Sequence, residues 1–294
     1  MKVLNFGSLN IDYTYRVPHI IVGGETLSST ELNEYCGGKG LNQSIALARA
    51  GLDVWHAGTI GYDGGMLTHS CEDAGIHTQF IRKLDVRSGH TVIQVDESGQ
   101  NSIILYGGTN MMQTAEYIDE VLSHFEAGDY LVLQNEINLL DYIIDRAFER
   151  GMKIVMNPSP YNDRLASCDL GKVSLFFVNE IEAAQITGNS DPDRALDALH
   201  AAYPKAAFVL TLGSQGAWYY DGQQRVFQGI FKVKPVDTTA AGDTFTGFFL
   251  RRLIDGAPIQ TALMTAAKAS SIAVTRRGAA PSIPSIKEVE EGLA

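Results

Sequence analysis

The segment with the most chemical information runs from Asp237 to Gly247 and has the sequence DTTAAGDTFTG. The small residues that precede its second aspartate, Asp243, are Ala240, Ala241 and Gly242. An apolar helix is predicted next, at Phe245–Leu253, and bare N–H groups at its start could hold a transferring phosphoryl group. Asp243 in the first turn could accept the proton of an attacking hydroxyl. An aspartate at a helix start is also common for purely structural reasons, and Asp243 taken alone is better explained in that way. The Ala-Ala-Gly run before it makes the purely structural explanation harder to maintain.

A second segment, Gly37–Gln43 with the sequence GGKGLNQ, is a glycine-rich turn that enters a helix. It lacks the longer glycine spacing, and the Ser or Thr directly after Lys, of a Walker A loop. Its glycines would let the backbone approach a bound sugar closely, and the Lys39 and Asn42 side chains could then bind hydroxyls. Taken alone, the segment is better explained as a plain turn.

The elements that would hold these segments alternate between strands and helices along most of the chain. The predicted strands include Lys2–Phe6, Asp53–Thr59, Tyr130–Gln134, Lys153–Met156, Leu175–Val178 and Ala207–Leu212. The predicted helices include Leu41–Ala50, Met66–Asp73, Leu139–Glu149 and Glu180–Thr187. Such alternation, with glycine at helix ends, is typical of an α/β fold with a doubly wound, mostly parallel central sheet flanked by helices.

Two stretches depart from the alternation, Asp12–Tyr35 and Thr91–Tyr106, and both are rich in β-forming residues. They predict a small β-sheet lid formed by insertions at about 12–36 and 89–107. Apolar lid residues such as Ile103 and Leu105 cannot all be buried by so small a sheet. We therefore expect the lids of two chains to pair in a homodimer.

The composition restricts the class of partner. The net charge of −11 at pH 7 disfavours nucleic acid, because its phosphate backbone would be repelled. No apolar run approaches the roughly 18 residues that span a bilayer, so no membrane association is expected. The N-terminus turns polar too early for a signal peptide. Cys36, Cys71 and Cys168 are scattered, which indicates reduced thiols and a cytoplasmic location.

Taken together, the two segments resemble the paired signatures of the ribokinase-like (PfkB) carbohydrate kinase family and, within it, the ribokinases. Other stretches resemble further family motifs in the family's order: Gly7–Asp12, Gly24–Thr26, Asn157–Pro160, Asn179–Glu182, Thr211–Gly216 and Val274–Ala279. The resemblance implies a single ribokinase-like domain over residues 1–294. It also implies transfer of the γ-phosphoryl group of MgATP to the terminal hydroxyl of a small unphosphorylated sugar, ribose or a related pentose or ketose.

The resemblance also implies a role for individual residues. The sugar would be bound by Asn10, Asp12, Gly38, Lys39, Asn42, Glu136 and Asp243. Asp243 would be the catalytic base, with Ala240, Ala241 and Gly242 as the anion hole. ATP would contact Asn179, Thr211, Gly213, Ser214, Gly216, Ala241 and Gly242. Glu182 would bind Mg²⁺ through water, although the spacing of Asn179 and Glu182 alone is better explained as a helix capping box.

The family often holds a monovalent cation such as K⁺ beside the anion hole. The matching positions are Asp237, Thr239, Ala273, Arg276, Gly278 and Ser282. Most of them would contribute main-chain carbonyl oxygens, which suit a large and weakly hydrated cation.

Several alternatives stay open at this point. A non-catalytic sugar or nucleotide sensor on the same fold would not need Asp243, and a nucleoside kinase would need base-binding aromatics that the sequence does not locate. A dinucleotide-dependent dehydrogenase is disfavoured because no GxGxxG follows the first strand. Lid residues that depart from the ribokinase pattern could either reshape the sugar pocket or face away from it: they are His90, Thr91, Tyr13 and Tyr15.

Overall fold

The structure, a computed structural model, describes residues 1–293. Over that range the strands, numbered in chain order, are β1 (Val3–Phe6), β2 (Asn10–Arg16), β3 (Glu31–Gly37), β4 (Val54–Ile60), β5 (His77–Lys83), β6 (Gly89–Val95), β7 (Asn101–Tyr106), β8 (Tyr130–Gln134), β9 (Lys153–Asn157), β10 (Leu175–Asn179), β11 (Ala207–Thr211), β12 (Ala217–Tyr220) and β13 (Arg225–Gln228). The α-helices are α1 (Lys39–Arg49), α2 (Gly65–Asp73), α3 (Ala115–Leu122), α4 (Leu140–Glu149), α5 (Glu180–Thr187), α6 (Pro192–Ala202), α7 (Ala241–Ile254), α8 (Ile259–Ala273) and α9 (Ile286–Leu293).

The larger sheet has the strand order β13-β12-β11-β10-β9-β8-β1-β4-β5. In this spatial order, the strands from β11 through β8 and β1 to β5 are all parallel to one another. Strands β12 and β13 continue the sheet in antiparallel pairing. Successive residues of β1 alternate between two hydrophobic clusters, with Val3 in one and Leu4 and Phe6 in the other. A strand buried on both faces is typical of a parallel sheet covered by helices on each side. The predicted doubly wound fold is confirmed.

The smaller sheet has the order β3-β2-β6-β7 and is built from the two stretches predicted to form the lid. Strand β2 pairs in parallel with β6, while β2–β3 and β6–β7 are antiparallel hairpins. Ile103 and Ile104 on the edge strand β7 are 55% and 64% exposed. This sheet therefore carries an apolar edge that no other part of residues 1–293 covers.

Candidate active site

The predicted site residues gather along one edge of the larger sheet because most of them follow the carboxyl ends of its parallel strands. Gly7 follows β1, Glu136 lies just beyond β8, and Asn179 and Thr211 are the last residues of β10 and β11. Side chains at these ends share one edge of the sheet, which is where open α/β sheets bind ligands.

Helix α7 presents its N-terminus to this edge without a side-chain cap. Its N-cap residue, Ala240, has a φ of 59°, a left-handed conformation that costs a non-glycine residue roughly 1–2 kcal/mol. Asp243 lies in the first turn, as predicted, and it is buried. The main-chain N–H of Ala241 donates to Thr238 at 3.2 Å. Within residues 1–293, the N–H groups of Gly242 and Asp243 have no hydrogen-bond acceptor, so they are available to an anion.

The glycine-rich turn is packed tightly against the loop that follows β1. A Cβ added to Gly40 would lie 2.3 Å from the main-chain nitrogen of Ser8, so only glycine allows this approach. The Glu136 carboxylate accepts hydrogen bonds from the Lys39 main-chain N–H at 3.0 Å and from the Ser8 hydroxyl. Burial raises the pKa of Glu136, although nearby Lys39 opposes the shift. Glu136 thus holds the start of α1 in place and keeps a second oxygen, Oε1, for a ligand.

Helix α1 brings the predicted sugar-binding residue Asn42 to the predicted base. The Asn42 amide donates to Asp243 Oδ2 at 3.3 Å. Its own carbonyl oxygen, Oδ1, is buried and has no hydrogen-bond partner among the described residues. A buried acceptor without a donor is costly, and a ligand hydroxyl would satisfy it.

Lys39 extends into a cavity of about 230 Å³ that is also lined by Asn179, Glu182 and the residues from Ala240 to Asp243. Burial alone would lower the pKa of the Lys39 ammonium. The carboxylates of Asp243, Glu136 and Glu182 outweigh that effect, so the pKa of Lys39 is raised. The side chain is therefore a fixed positive charge beside the helix N-terminus, on the predicted nucleotide side rather than only beside a sugar.

The lid supplies Asn10 and Asp12 from β2. The Thr91 hydroxyl on β6 donates to Asp12 Oδ1 at 2.6 Å, and the amide of Asn110 donates to Asn10 Oδ1 at 2.7 Å. Burial raises the pKa of Asp12 to about 6, although the Thr91 hydrogen bond opposes the shift. Asp12 is therefore mostly ionised at neutral pH, and its second oxygen remains free to accept from a hydroxyl.

Four lid residues depart from the ribokinase pattern, and the register of β2 with β6 shows on which face of the lid they lie. Thr91 lies directly beside Asp12, whereas His90 lies beside Ile11. Because successive residues of a strand point to opposite faces, His90 and Tyr13 lie on the face away from Asp12. Their rings pack edge to face, with centroids 5.9 Å apart. Of these four residues, Thr91 is thus the one that lies beside Asp12 and bonds to it, and Tyr15 shares the face of Tyr13.

The capping-box interpretation of Asn179 and Glu182 is confirmed, and both residues also line the cavity. Asn179 Oδ1 accepts from the Glu182 N–H at 2.8 Å, and Glu182 Oε2 accepts from the Asn179 N–H at 3.1 Å. The cap uses one polar atom of each side chain. The Asn179 amide nitrogen and Glu182 Oε1 are not used by the cap.

A second cavity, of about 370 Å³, continues past the N-terminus of α7. It shares Thr211, Ala241 and Gly242 with the first cavity. The predicted residues Gly213, Ser214 and Gly216 line it, in the turn that joins β11 to β12. Apolar residues that were not predicted supply much of the rest: they include Ile230, Phe231, Val233, Phe245 and Val274. A largely apolar cavity next to an anion site is suited to a nucleobase and its phosphates.

Asp237 joins the two loops of the predicted cation site. Its Oδ1 accepts from the N–H and hydroxyl of Thr239 at 2.9 and 2.6 Å, and its Oδ2 accepts from the Gly278 N–H at 2.9 Å. Burial would raise the pKa of Asp237, but these hydrogen bonds lower it. Within the described part of the chain, no hydrogen bond reaches the carbonyl oxygens of Thr239, Arg276 and Gly278, so they can serve as cation ligands.

The remaining predicted positions lie close to these loops. The Ala273 carbonyl accepts from the Arg276 N–H at 3.0 Å, and the buried Ser282 donates to the Ala279 carbonyl at 2.7 Å. Across residues 1–293 there is no cluster of three or more His, Cys, Asp or Glu side chains that could hold a metal ion. The same residues contain no helix that is long and apolar enough to cross a membrane.

Comparison with known proteins agrees with this geometry. Residues 1–286 match the profile described as pfkB family carbohydrate kinase. A ribokinase from Schizosaccharomyces pombe is 33% identical over 313 residues, which cover 99% of this chain and 97% of the relative.

Two solved structures extend the comparison to three dimensions. Ribokinase from Thermotoga maritima has a TM-score of 0.89 and 30% identity, covering 100% of this chain and 99% of that one. Ribokinase from Arabidopsis thaliana, solved in complex with ribose and ATP, has a TM-score of 0.85 and 28% identity, with 99% and 97% coverage.

Proposed function

The chain belongs to the pfkB family of carbohydrate kinases, and we propose that it transfers the γ-phosphoryl group of ATP to the terminal primary hydroxyl of D-ribose or a closely related pentose or ketose. One observation carries the proposal. The Asp243 carboxylate is hydrogen-bonded to Asn42 of the sugar-side loop and also lines the cavity at the N-terminus of α7. It therefore lies where a sugar hydroxyl and a phosphoryl group would meet.

In the proposed reaction the sugar hydroxyl oxygen forms a bond to the γ-phosphorus while the bond to the ADP oxygen breaks. The hydroxyl proton passes to Asp243. The free N–H groups of Gly242 and Asp243, with Lys39 beside them, stabilise the charge on the equatorial phosphoryl oxygens. Such a transition state needs positioning and charge stabilisation more than a strong base, which suits a carboxylate.

The sugar would be held from two sides. Asn10 and Asp12 approach from the lid, while Asn42 and Glu136 approach from the body of the protein. A terminal primary hydroxyl is the least hindered one that can reach Asp243. No cationic cluster for a second phosphate accompanies these residues beyond Lys39, which favours an unphosphorylated sugar.

ATP would place its base in the apolar cavity and its phosphates along Asn179 and the N-terminus of α7. When bound, Mg²⁺ would neutralise phosphate charge, and Glu182, which lines the same cavity, would hold it through water. Protein carboxylates commonly bind Mg²⁺ that keeps most of its own waters.

An ADP-release assay across pentoses, hexoses, ketoses, nucleosides and phosphosugars tests the substrate class. We expect turnover with D-ribose or a close pentose or ketose, and none with 5-deoxy-D-ribose, which lacks the primary hydroxyl but should compete for the site. Turnover of nucleosides or phosphosugars alone would contradict the assignment.

Asp12→Ala sharpens the same test. Losing a hydrogen bond to a charged group should raise the KM for the sugar by about 10- to 100-fold. The KM for ATP should barely change, because the nucleotide residues lie elsewhere. Glu34→Ala is the matched control, since Glu34 is an exposed lid acid that pairs with Tyr13 on the face away from the site. An equal rise in both KM values would refute the proposed pocket.

We also propose a functional K⁺ site at the loops that Asp237 joins, and we expect K⁺ to raise kcat above the rates in Na⁺ or a large organic cation at equal ionic strength. The cation would fix the loop next to Ala240 and so the helix N-terminus. Asp237→Asn should reduce the response to K⁺, because the carboxylate holds both loops. Identical rates in all three salts would argue against the site.

The lid also supports a proposed homodimer, in which the exposed apolar edge of one lid, including Ile103 and Leu105, packs on that of another. We also propose a cytoplasmic location, because the scattered cysteines indicate reduced thiols.

A further inference from the structure

A row of buried amide side chains leads from Asp243 into the central sheet. Gln43, next to Asn42 on α1, donates from Nε2 to Asp243 Oδ1 at 2.9 Å. Gln134, the last residue of β8, donates from Nε2 to Gln43 Oε1 at 2.7 Å and to Asn5 Oδ1 at 3.0 Å. Asn5 on β1 donates from Nδ2 to the Gly40 carbonyl at 2.7 Å. Gln43, Gln134 and Asn5 are all 0% exposed.

Only one assignment of amide oxygens and nitrogens makes every contact in this row a donor–acceptor pair. The Gly40 main-chain carbonyl can only accept, so it fixes which end of the Asn5 amide is nitrogen. Asn5 Oδ1 then faces Gln134, whose two N–H groups serve Asn5 and Gln43. Because Gln43 Oε1 is thereby occupied, its N–H is directed at the Asp243 carboxylate. The backbone at the start of α1 thus sets the orientation of a side chain beside the base.

The far end of the row is neutral. Asn5 also donates to the Ser44 hydroxyl at 2.9 Å, and Ser44 lies 2.7 Å from His56 Nδ1. Burial lowers the pKa of His56 to about 4, so its ring carries no charge near neutral pH. The charged groups near Asp243 are Lys39 of α1, Glu136 after β8 and Glu182 of α5. The amide row therefore adds no charged side chain next to Asp243.

Filling the interior with amides is an unfavourable way to build a core. Buried amides cost free energy unless all their hydrogen bonds are made, and Gln134 Oε1 has no partner in residues 1–293. Apolar side chains of similar size would pack there without that cost. This cost is a reason to look for a role of the row besides packing.

We propose that Gln43 is a positioning residue for the catalytic base and that Gln134 and Asn5 hold its amide in the productive orientation. The two oxygens of Asp243 are not equivalent in this arrangement. Gln43 holds Oδ1 at 2.9 Å, whereas the Asn42 bond to Oδ2 is longer, at 3.3 Å. Oδ2 is thus the oxygen left to receive the proton of the sugar hydroxyl. This inference rests on the proposed function of Asp243.

Gln43→Met tests the inference, because Met keeps the length of the side chain and removes both polar groups. We expect kcat to fall by roughly 10-fold, as for a misplaced catalytic group, with little change in the KM for ATP. The acid limb of the kcat profile should move up by about one pH unit, since the ionised carboxylate loses a hydrogen bond. Gln134→Met should move the limb in the same direction by less.

Gln43→Glu is the second variant, for the case in which Gln43→Met folds poorly. Glu has nearly the same size and shape as Gln. Two carboxyl groups this close disfavour each other's ionisation, so the acid limb should move further than in Gln43→Met. Gln113→Met is the matched control: Gln113 is also a buried amide, and its Oε1 accepts from Thr59 at 2.8 Å, away from Asp243. It should lower stability and leave the limb in place.

The possible outcomes distinguish a failure of the positioning role of Gln43 from a failure of the proposed function of Asp243. A wild-type kcat and acid limb in both Gln43 variants, with only a loss of stability like that of Gln113→Met, would overturn the positioning role. If Asp243→Asn is at the same time nearly inactive, the proposed base survives that result. If Asp243→Asn is fully active, the proposed function fails first.

Discussion

Asp243→Asn should lower kcat by roughly 10²-fold or more, the usual effect of removing a general base. The KM values for sugar and ATP should change much less, because Asn retains an oxygen that can accept from Gln43 or Asn42. Steady-state kinetics over both substrates measures the two effects separately.

Asp141→Asn is the matched control, since Asp141 is an acid in the first turn of α4. If an acid at a helix start served only the helix, both variants would lose a little stability and neither would lose turnover. A near-wild-type kcat in the Asp243 variant would remove this residue from the mechanism.

Gly242→Val should also slow turnover strongly, by roughly 10²-fold, the scale for losing a donor of an anion hole. A Cβ added at Gly242 meets no heavy atom within 4 Å, so the branched side chain would enter the cavity and not the protein interior. The fold should therefore be retained while the phosphoryl group is displaced.

Gly65→Val provides the control, because Gly65 begins α2 and its added Cβ also meets nothing within 4 Å. Thermal unfolding of the two variants should be similar, and only Gly242→Val should lose kcat. Full activity in a well-folded Gly242→Val protein would place the phosphoryl group elsewhere.

Local patterns in the sequence predict much of this molecule. Three predicted features depend only on residues close together in the chain, and all three are present in the structure. They are the alternation of strands and helices, the start of α7 near Asp243 and the capping box of Asn179. Strand β5 is missing from the predicted elements for a physical reason. It is the edge of the sheet, and its sequence, HTQFIRK, is mostly polar with no buried residue.

Contacts between distant residues could not be predicted in this way. Thr91 is 79 residues from Asp12, and only the parallel pairing of β2 with β6 brings them together. The apolar cavity wall likewise combines the loop around Phe231 with Val274 of the segment after α8.

The contact between Gln43 and Asp243 also has a consequence for synthesis of the chain. The two residues are 200 positions apart. At about 5–20 residues per second, Asp243 is added roughly 10–40 s after Gln43. During that interval the face of α1 that carries Gln43 has no α7 to cover it, although β1, β4 and β8 can pair as soon as β8 has been made. The catalytic centre is thus assembled late on the ribosome, after most of the sheet that supports it.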